Sequence, residues 1–348
     1  MIQPECAESF KEILNAFDAA FRTVLVGHVN ADGDVIGSMS ALSSRLGMRG
    51  MQVTSFLFEP VPERYRFLSF DQSVEIFDAD KVSHRRSILD ADLIVILDLS
   101  VISRLPGWSS LLDEFKGKVI CIDHHPVPES FLGHINLINP QACSTGQILF
   151  ELFRLEEAPL TRGQALALFT AITTDTGWFQ YSNTTPETLS MASELLRTGI
   201  DPSEVFGYIY QANDFSTVRF TGKLAHETRS ALGDRLLWVS ISQEALESCG
   251  LASFETESIL DILRSVKPSQ CVALFRETEE GTVRVNLRSK GRLYIHKLAE
   301  RFGGGGHRKA AGITFTDLSL KEVEKKVINA LIEYIGNGGT WIHDRVAE

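Results

Sequence analysis

Thr23-Val24-Leu25-Val26 runs through Gly27 into His28-Val29-Asn30-Ala31-Asp32-Gly33-Asp34, and the fold turns on that join. The run Thr23–Val26, mostly β-branched, reads as the body of a strand over 23–28. The polar stretch after it reads as a loop. Val35 to about Leu46 reads as the next helix, closed by Gly47 and Gly50. Strand, loop and helix in that order make one βα unit, and βα units build a parallel sheet with helices on its faces.

The same join recurs. Leu93-Ile94-Val95-Ile96-Leu97 ends on Asp98, and Val119-Ile120-Cys121-Ile122 ends on Asp123-His124-His125. Both runs are apolar without alternation, as expected of strands buried on both faces. Asp175, in Thr173-Thr174-Asp175-Thr176-Gly177, and the run Gly303-Gly304-Gly305-Gly306-His307 are also expected at strand ends. Open parallel sheets bind ligands at the carboxyl ends of their strands. Several strand ends carrying carboxylates and imidazoles therefore read together as one polynuclear metal site. Each cluster alone could be a turn or a helix cap.

The remaining elements follow local signals. Phe10, Ile13, Leu14 and Phe17 give Pro4–Phe21 a helical apolar stripe. Val53–Phe58 and Val74–Phe77 read as strands. Ser144 and Thr161 are placed to cap the helices after them, and Pro186 starts another. After a polar helical stretch the pattern changes to strand 236–241, helix 254–265, a hairpin turning at Glu279-Glu280-Gly281, helix 294–302, strand 312–316 and a last helix at 319–334. The expected architecture is α/β: a larger domain at 1–200 with a mainly parallel sheet flanked by helices, a helical connector at 201–230, and a smaller α/β domain at 231–340. The active site is expected in the cleft between the domains.

Composition narrows the function. A formal net charge of −11 over 348 residues disfavours a uniformly basic nucleic-acid binder, so a polyanionic substrate needs metal ions or a local basic patch. Residues 288–309 supply one, with seven Lys or Arg (Arg288, Lys290, Arg292, Lys297, Arg301, Arg308, Lys309) against Glu300 alone. Five scattered cysteines without a Cys-x-x-Cys pair suggest reduced thiols and a cytoplasmic location. No stretch approaches a membrane span. A phosphate loop of the Gly-x-x-x-x-Gly-Lys-Ser/Thr type is missing, as is a serine nucleophile elbow.

Imidazole with carboxylate suits a mid-row divalent ion such as Mn²⁺ better than a thiolate-preferring one. A pair of such ions activates water for attack on phosphorus. The glycine run could be a linker, but among so many cations its N–H groups suit a phosphate. Trp178, Phe179 and Tyr181 are candidates either for stacking on a base or for core packing.

Taken in order, His28-x-Asn30-x-Asp32-x-Asp34, Asp98, Asp123-His124-His125, Thr174-Asp175-Thr176-Gly177, Arg288-Ser289 and Gly303–His307 resemble the DHH phosphoesterase superfamily, with its DHH-associated C-terminal domain, RecJ-like. The resemblance implies His28, Asp32 and Asp98 around one Mn²⁺, and Asp34, Asp98, His124 and Asp175 around a second, with Mg²⁺ or Co²⁺ as alternatives. It implies Asp98, Asp123 and His125 as catalytic residues, His125 facing the scissile phosphate. Arg288, Ser289, Gly303, Gly304, Gly305, Gly306 and His307 would bind the far end of a short RNA or nucleotide. Lacking sensory or membrane modules, the chain is most similar to the branch that degrades short oligoribonucleotides and dephosphorylates 3′-phosphoadenosine-5′-phosphate. Cyclic or linear dinucleotides, pyrophosphate and polyphosphate stay open as substrates, as does a non-catalytic nucleotide-binding regulator. A homodimer stays open too, because helix 4–21 could pack on its own core or on a second copy.

Overall fold

The computed structural model describes residues 7–339, except 69, 71, 72, 157, 252–255, 279 and 280. Two compact units divide it, Met1–Ala212 and Asn213–Glu348. In the first, the elements are α1 (Ala7–Ala19), β1 (Arg22–Val26), α2 (Gly33–Met48), β2 (Gln52–Leu57), β3 (Ser73–Ile76), α3 (Val82–Leu89), β4 (Leu93–Leu97), α4 (Ser109–Glu114), β5 (Lys118–Asp123), β6 (Ile135–Ile138), α5 (Thr145–Leu155), α6 (Arg162–Asp175), α7 (Pro186–Leu196) and α8 (Pro202–Tyr210). The strands form one sheet in the order β3-β2-β1-β4-β5-β6, and every pair is parallel.

That order reverses direction between β1 and β4. The crevice at their carboxyl ends is the topological switch point, where such sheets take ligands. One apolar layer, with Phe10, Ile13, Phe17, Ile36, Leu42 and Phe169, covers one face of the sheet. A second, with Phe56, Ile88, Leu105 and Trp108, covers the other. The apolar side of α1 is thus spent on its own chain.

Close contact of α2 with α6 sets the rim of the crevice. A Cβ on Gly37 would lie 2.4 Å from the Ala167 carbonyl oxygen, and one on Gly33 would lie 2.4 Å from Thr174 Oγ1. Only hydrogen fits at these two positions, one helical turn apart: at Gly37 the helices meet backbone to backbone, and at Gly33 the Thr174 side chain packs on the α2 backbone.

The second unit holds α9 (Phe215–Glu227), β7 (Arg229–Ala231), β8 (Leu236–Ile241), α10 (Gln243–Ser248), α11 (Glu257–Ser265), β9 (Cys271–Glu277), β10 (Val283–Ser289), α12 (His296–Arg301), β11 (Gly305–His307), β12 (Ala310–Phe315) and α13 (Leu320–Gly336). Its sheet runs β11-β12-β10-β9-β8-β7, antiparallel except for β8 beside β9. A core containing Val285, Leu287, Ile313, Val327 and Tyr334 lies on one side. A smaller cluster with Phe220, Leu224, Ile259 and Leu263 lies on the other.

The segment read as a connector is divided by the unit boundary after Ala212, with α8 on one side and α9 on the other. Strands β6, β7 and β11 and helices α3, α4 and α10 add to the elements read from sequence. Pro4, Cys6, Phe254, Glu279 and Glu280 lie outside the described residues. The four described cysteines, Cys121, Cys143, Cys249 and Cys271, are free thiols. Among the described residues, no helix is long and apolar enough to cross a membrane.

Candidate metal centre

The strand ends at the switch point deliver the candidate ligands, His28 and Asp32 after β1, Asp98 after β4 and Asp123, His124 and His125 at the end of β5. His28 follows β1 and is buried; its Nδ1 donates to the Val29 carbonyl at 2.7 Å, which points Nε2 into the crevice. Asp32 caps α2, with one carboxylate oxygen accepting from the N–H groups of Asp34 and Val35 at 3.1 and 3.2 Å. This is ordinary N-cap chemistry. The other oxygen stands 3.8 Å from His28 Nε2. Asp98 follows β4 with φ +62°, a left-handed conformation that costs a non-glycine residue on the order of 1–2 kcal/mol. Strain of this kind is retained at functional sites.

Asp98 divides its oxygens. Oδ2 faces His28 Nε2 at 3.3 Å, and Oδ1 faces His124 Nε2 at 3.4 Å and His125 Nδ1 at 3.7 Å. His124 Nε2 is also 3.7 Å from Asp34 and 3.5 Å from Asp175. Three groups result, in which one ligand atom per residue lies within 4.8 Å of the others: His28 with Asp32 and Asp98, Asp34 with His124 and Asp175, and Asp98 with His124 and His125. Asp123, fully buried at the end of β5, stands behind them. Its Oδ1 accepts from the His125 backbone N–H at 3.1 Å and meets His125 Nδ1 at 2.7 Å.

Asp175 departs from the strand-end expectation. It is the last residue of helix α6, and the backbone contact of α6 with α2 brings it opposite Asp34. Asn183 Nδ2 donates to its carbonyl at 3.1 Å. The glycine run likewise precedes a strand: it follows α12 and becomes edge strand β11.

Sequence reasoning missed the N-terminus of α5. The Thr145 and Gly146 N–H groups donate to the two oxygens of Asp34 at 2.6 and 2.9 Å, and Ser38 Oγ adds a bond at 3.2 Å. Thr145 Oγ1 donates to Asp98 Oδ1 at 3.0 Å. The sequence signal for this, Ser144 as a helix cap, says nothing about which carboxylate that helix end meets.

The electrostatics show excess negative charge confined in a small buried space. Burial alone would raise Asp98, but hydrogen bonds from His124 and His28 outweigh it and hold the carboxyl well below its usual range. Burial would lower His124, yet Asp98, Asp175 and Asp34 raise its imidazolium well above the ordinary value. Burial, with Asp98 beside it, raises Asp34 well above the carboxylate range. Burial, opposed by His124 and reinforced by Asp98, brings Asp175 up to about 7. Protons gather here because three carboxylates converge without enough cations. Oxygen and imidazole donors in this arrangement fit divalent cations.

In the second unit Arg288 lies on β10, half-buried, between Val272 and Ala310 of the neighbouring strands. Ser289 is buried, and its hydroxyl donates to the Leu293 carbonyl at 2.6 Å. Lys290 Nζ donates to the carbonyls of Arg264 and Val266 at the end of α11, so this cation serves the fold. Gly304 and Gly306 could not carry a Cβ, which would come within 2.2 Å of the Gly312 carbonyl oxygen and 2.5 Å of that of Ala310. The run is a close-packed edge, with Gly305 to His307 paired to β12.

A parallel sheet whose switch point gathers these carboxylates and imidazoles, joined to a second α/β unit with a basic stretch at 288–309, defines a hydrolase acting on phosphoester bonds. Residues 22–172 match the N-terminal domain of the DHH family, and residues 251–337 match the DHHA1 domain. A bifunctional oligoribonuclease and PAP phosphatase NrnA from Thermus thermophilus is 30% identical over 94% of each chain. The chain belongs to the DHH family. The protein of the same name from Bacillus subtilis is 26% identical over 86% of this chain and 91% of its own. The crystal structure of an exopolyphosphatase-related protein from Bacteroides fragilis superposes with a TM-score of 0.87 at 26% identity, covering 94% of this chain and 96% of that one.

Proposed function

We propose that the chain hydrolyses short oligoribonucleotides and 3′-phosphoadenosine-5′-phosphate with two divalent ions, Mn²⁺ foremost. One observation carries the reading: buried Asp98 turns its two oxygens towards different ligand clusters, as a carboxylate shared by two ions must. His28, Asp32 and Asp98 would hold one ion, and Asp34, Asp98, His124 and Asp175 the other. When bound, two such ions supply an activated water and neutralise charge on the phosphoryl oxygens.

The remaining roles fall to the chain. Asp123 holds His125 by Nδ1, which leaves Nε2 to donate to a phosphoryl oxygen where charge grows in the transition state. Thr145 and Gly146 keep Asp34 in one orientation. Arg288, Gly303, Gly304, Gly305, Gly306 and His307 bind the non-reacting phosphate or base. Ser289 supports them by closing the turn to Leu293. The names of the Thermus thermophilus and Bacillus subtilis relatives support the choice of substrates. Free thiols agree with work in a reducing cytoplasm.

The test is Mn²⁺-dependent product release from a pentaribonucleotide, a dinucleotide, 3′-phosphoadenosine-5′-phosphate, cyclic di-adenylate and pyrophosphate, with Asp98→Ala as the blank. Turnover of the short RNAs and the bisphosphate nucleotide is expected. Turnover of pyrophosphate alone would keep the metal centre and overturn the substrate assignment. Nucleotide binding with no turnover of any substrate would point to a regulator.

A further inference from the structure

We infer that Asn183 is a positioning residue for the ion assigned to Asp34, Asp98, His124 and Asp175. Its side-chain amide ties the end of α6 to the approach to α5 and holds the ligands that these helix ends present in register. The inference rests on the ligand set proposed above.

An asparagine amide carries two N–H donors on one nitrogen. Asn183 Nδ2 spends them on two backbone carbonyls from segments far apart in the chain, that of Asp175 at 3.1 Å and that of Cys143 at 3.1 Å. The partners fix the orientation of the amide, because a flipped one would set its oxygen against two carbonyl oxygens. Asn183 Oδ1 is buried and accepts no bond among the described residues. A buried acceptor left unpaired costs stability, so its retention calls for a reason. A cap for α6 alone needs one donor and does not account for the second bond, to Cys143.

Both carbonyls belong to segments that place ligands. Asp175 is the last residue of α6. Cys143 stands two residues before Thr145, and its own N–H donates to Gln147 Oε1 at 2.9 Å, so this residue is held on both sides. Thr145 and Gly146 donate to Asp34, and the Thr145 hydroxyl donates to Asp98. Through Asn183 the three carboxylates that face His124 Nε2 share one frame.

The chain turns sharply to bring Asn183 back to Asp175. Gly177, Trp178 and Phe179 are successive left-handed residues, with φ of +54°, +55° and +65°. Two of them are not glycine, and such strain persists where the surroundings over-determine it, as at functional sites. Trp178 packs against Phe169 and Phe206, with ring centroids 5.9 and 5.0 Å away, and its N–H donates to the Thr173 carbonyl at 2.7 Å. These contacts lock the turn and set where Asn183 returns.

The experiment is a calorimetric Mn²⁺ titration of the chelator-stripped full chain, with dinucleotide turnover followed against Mn²⁺ concentration. Asn183→Leu keeps the volume and removes both donors. Asp175→Ala marks which binding step belongs to the ion in question. The parent should bind two ions. In Asn183→Leu the step that Asp175→Ala abolishes should weaken about tenfold or more, the scale of residues that orient metal ligands, while the other step stays within about twofold. Turnover should need correspondingly more Mn²⁺, and kcat at saturating Mn²⁺ should return close to the parental value. Two unchanged steps would overturn the inference. Equal weakening of both steps, or a loss of kcat that Mn²⁺ does not restore, would also overturn it and would leave Asn183 a part of the fold alone. A parent that binds fewer than two ions would overturn the ligand set, and the role of Asn183 with it. If Asn183→Leu does not fold, Asn183→Ala carries the same comparisons.

Discussion

The Thr145 hydroxyl donates to Asp98 Oδ1 at 3.0 Å, while the same residue's backbone N–H donates to Asp34 Oδ2 at 2.6 Å. One helix-start residue therefore orients two carboxylates from different elements, Asp34 in the first turn of α2 and Asp98 after β4. The bond from Thr145 sets the direction of Asp98 Oδ1, the oxygen that also faces His124 and His125. Such supporting bonds fix the direction of a metal ligand and its basicity.

Replacing Thr145 with Val keeps the shape and removes the donor. Losses of this kind cost about 10–100-fold in metal affinity or activity. Calorimetric Mn²⁺ titration of Thr145→Val should show weakened binding in that range, and Thr145→Ser should restore it. Unchanged affinity with lowered melting would make Thr145 merely structural.

The metal-free protein should lose stability as pH rises. Asp175 has a folded-state pKa of about 7, raised from 3.8, so the native state binds more protons than the unfolded one between these values, and stability falls across that window. Asp34 is raised and acts in the same direction. His124 and His28 are also raised; their contributions are full below the unfolded histidine value and lost as pH rises through the folded one. Asp98 is lowered, and its contribution is lost only in acid, as pH falls through its folded value. Melting in EDTA should therefore fall from pH 6 to pH 8. The gain on adding Mn²⁺ should grow over the same interval, because the ions displace those protons. A melting temperature in EDTA that rises with pH would contradict this balance.

Gly37→Ala sets two effects against each other. Alanine favours a helix by about 1 kcal/mol over glycine. Its Cβ would come within 2.4 Å of the Ala167 carbonyl oxygen, and overpacking costs about 1–3 kcal/mol. The packing effect should win, lowering melting by a few degrees and weakening Mn²⁺ binding as α6 carries Asp175 away from Asp34. A stabilised variant with full Mn²⁺ affinity would show that the helices can part freely.

Asp123→Asn should spare metal binding and reduce kcat. Asp123 Oδ1 meets His125 Nδ1 at 2.7 Å, and Asp123 belongs to none of the three ligand clusters. Equal loss of Mn²⁺ affinity and kcat would instead make it a ligand.

Strands β1, β4 and β5 were legible because apolar runs without alternation have few other uses, and the ligands that follow them were read with them. Strand β6 was not, being four residues with Asn136 inside. Asp175 carried the right chemistry in the wrong setting. Its place at a helix end depends on Gly33 and Gly37 letting α2 and α6 touch, a contact between segments more than 120 residues apart. Thr145 was illegible for the same reason: a capped helix start is a local signal, whereas the carboxylates that it meets, Asp34 on α2 and Asp98 after β4, come from segments 111 and 47 residues away. In the second unit the cations between Arg288 and Lys309 looked alike in sequence, and only the fold separates Lys290, bound to the end of α11, from Arg288 on β10 and from Lys297 and Arg301 on α12.

The most direct test of a two-ion centre is a stepwise Mn²⁺ titration of chelator-stripped protein, with bound ions counted by calorimetry and dinucleotide turnover read in the same samples. Two equivalents per chain, with turnover rising as the second binds and both steps disrupted in Asp98→Asn, is the predicted result. Full turnover at one equivalent or none, or an Asp98→Asn variant that binds two ions like the parent, would contradict it.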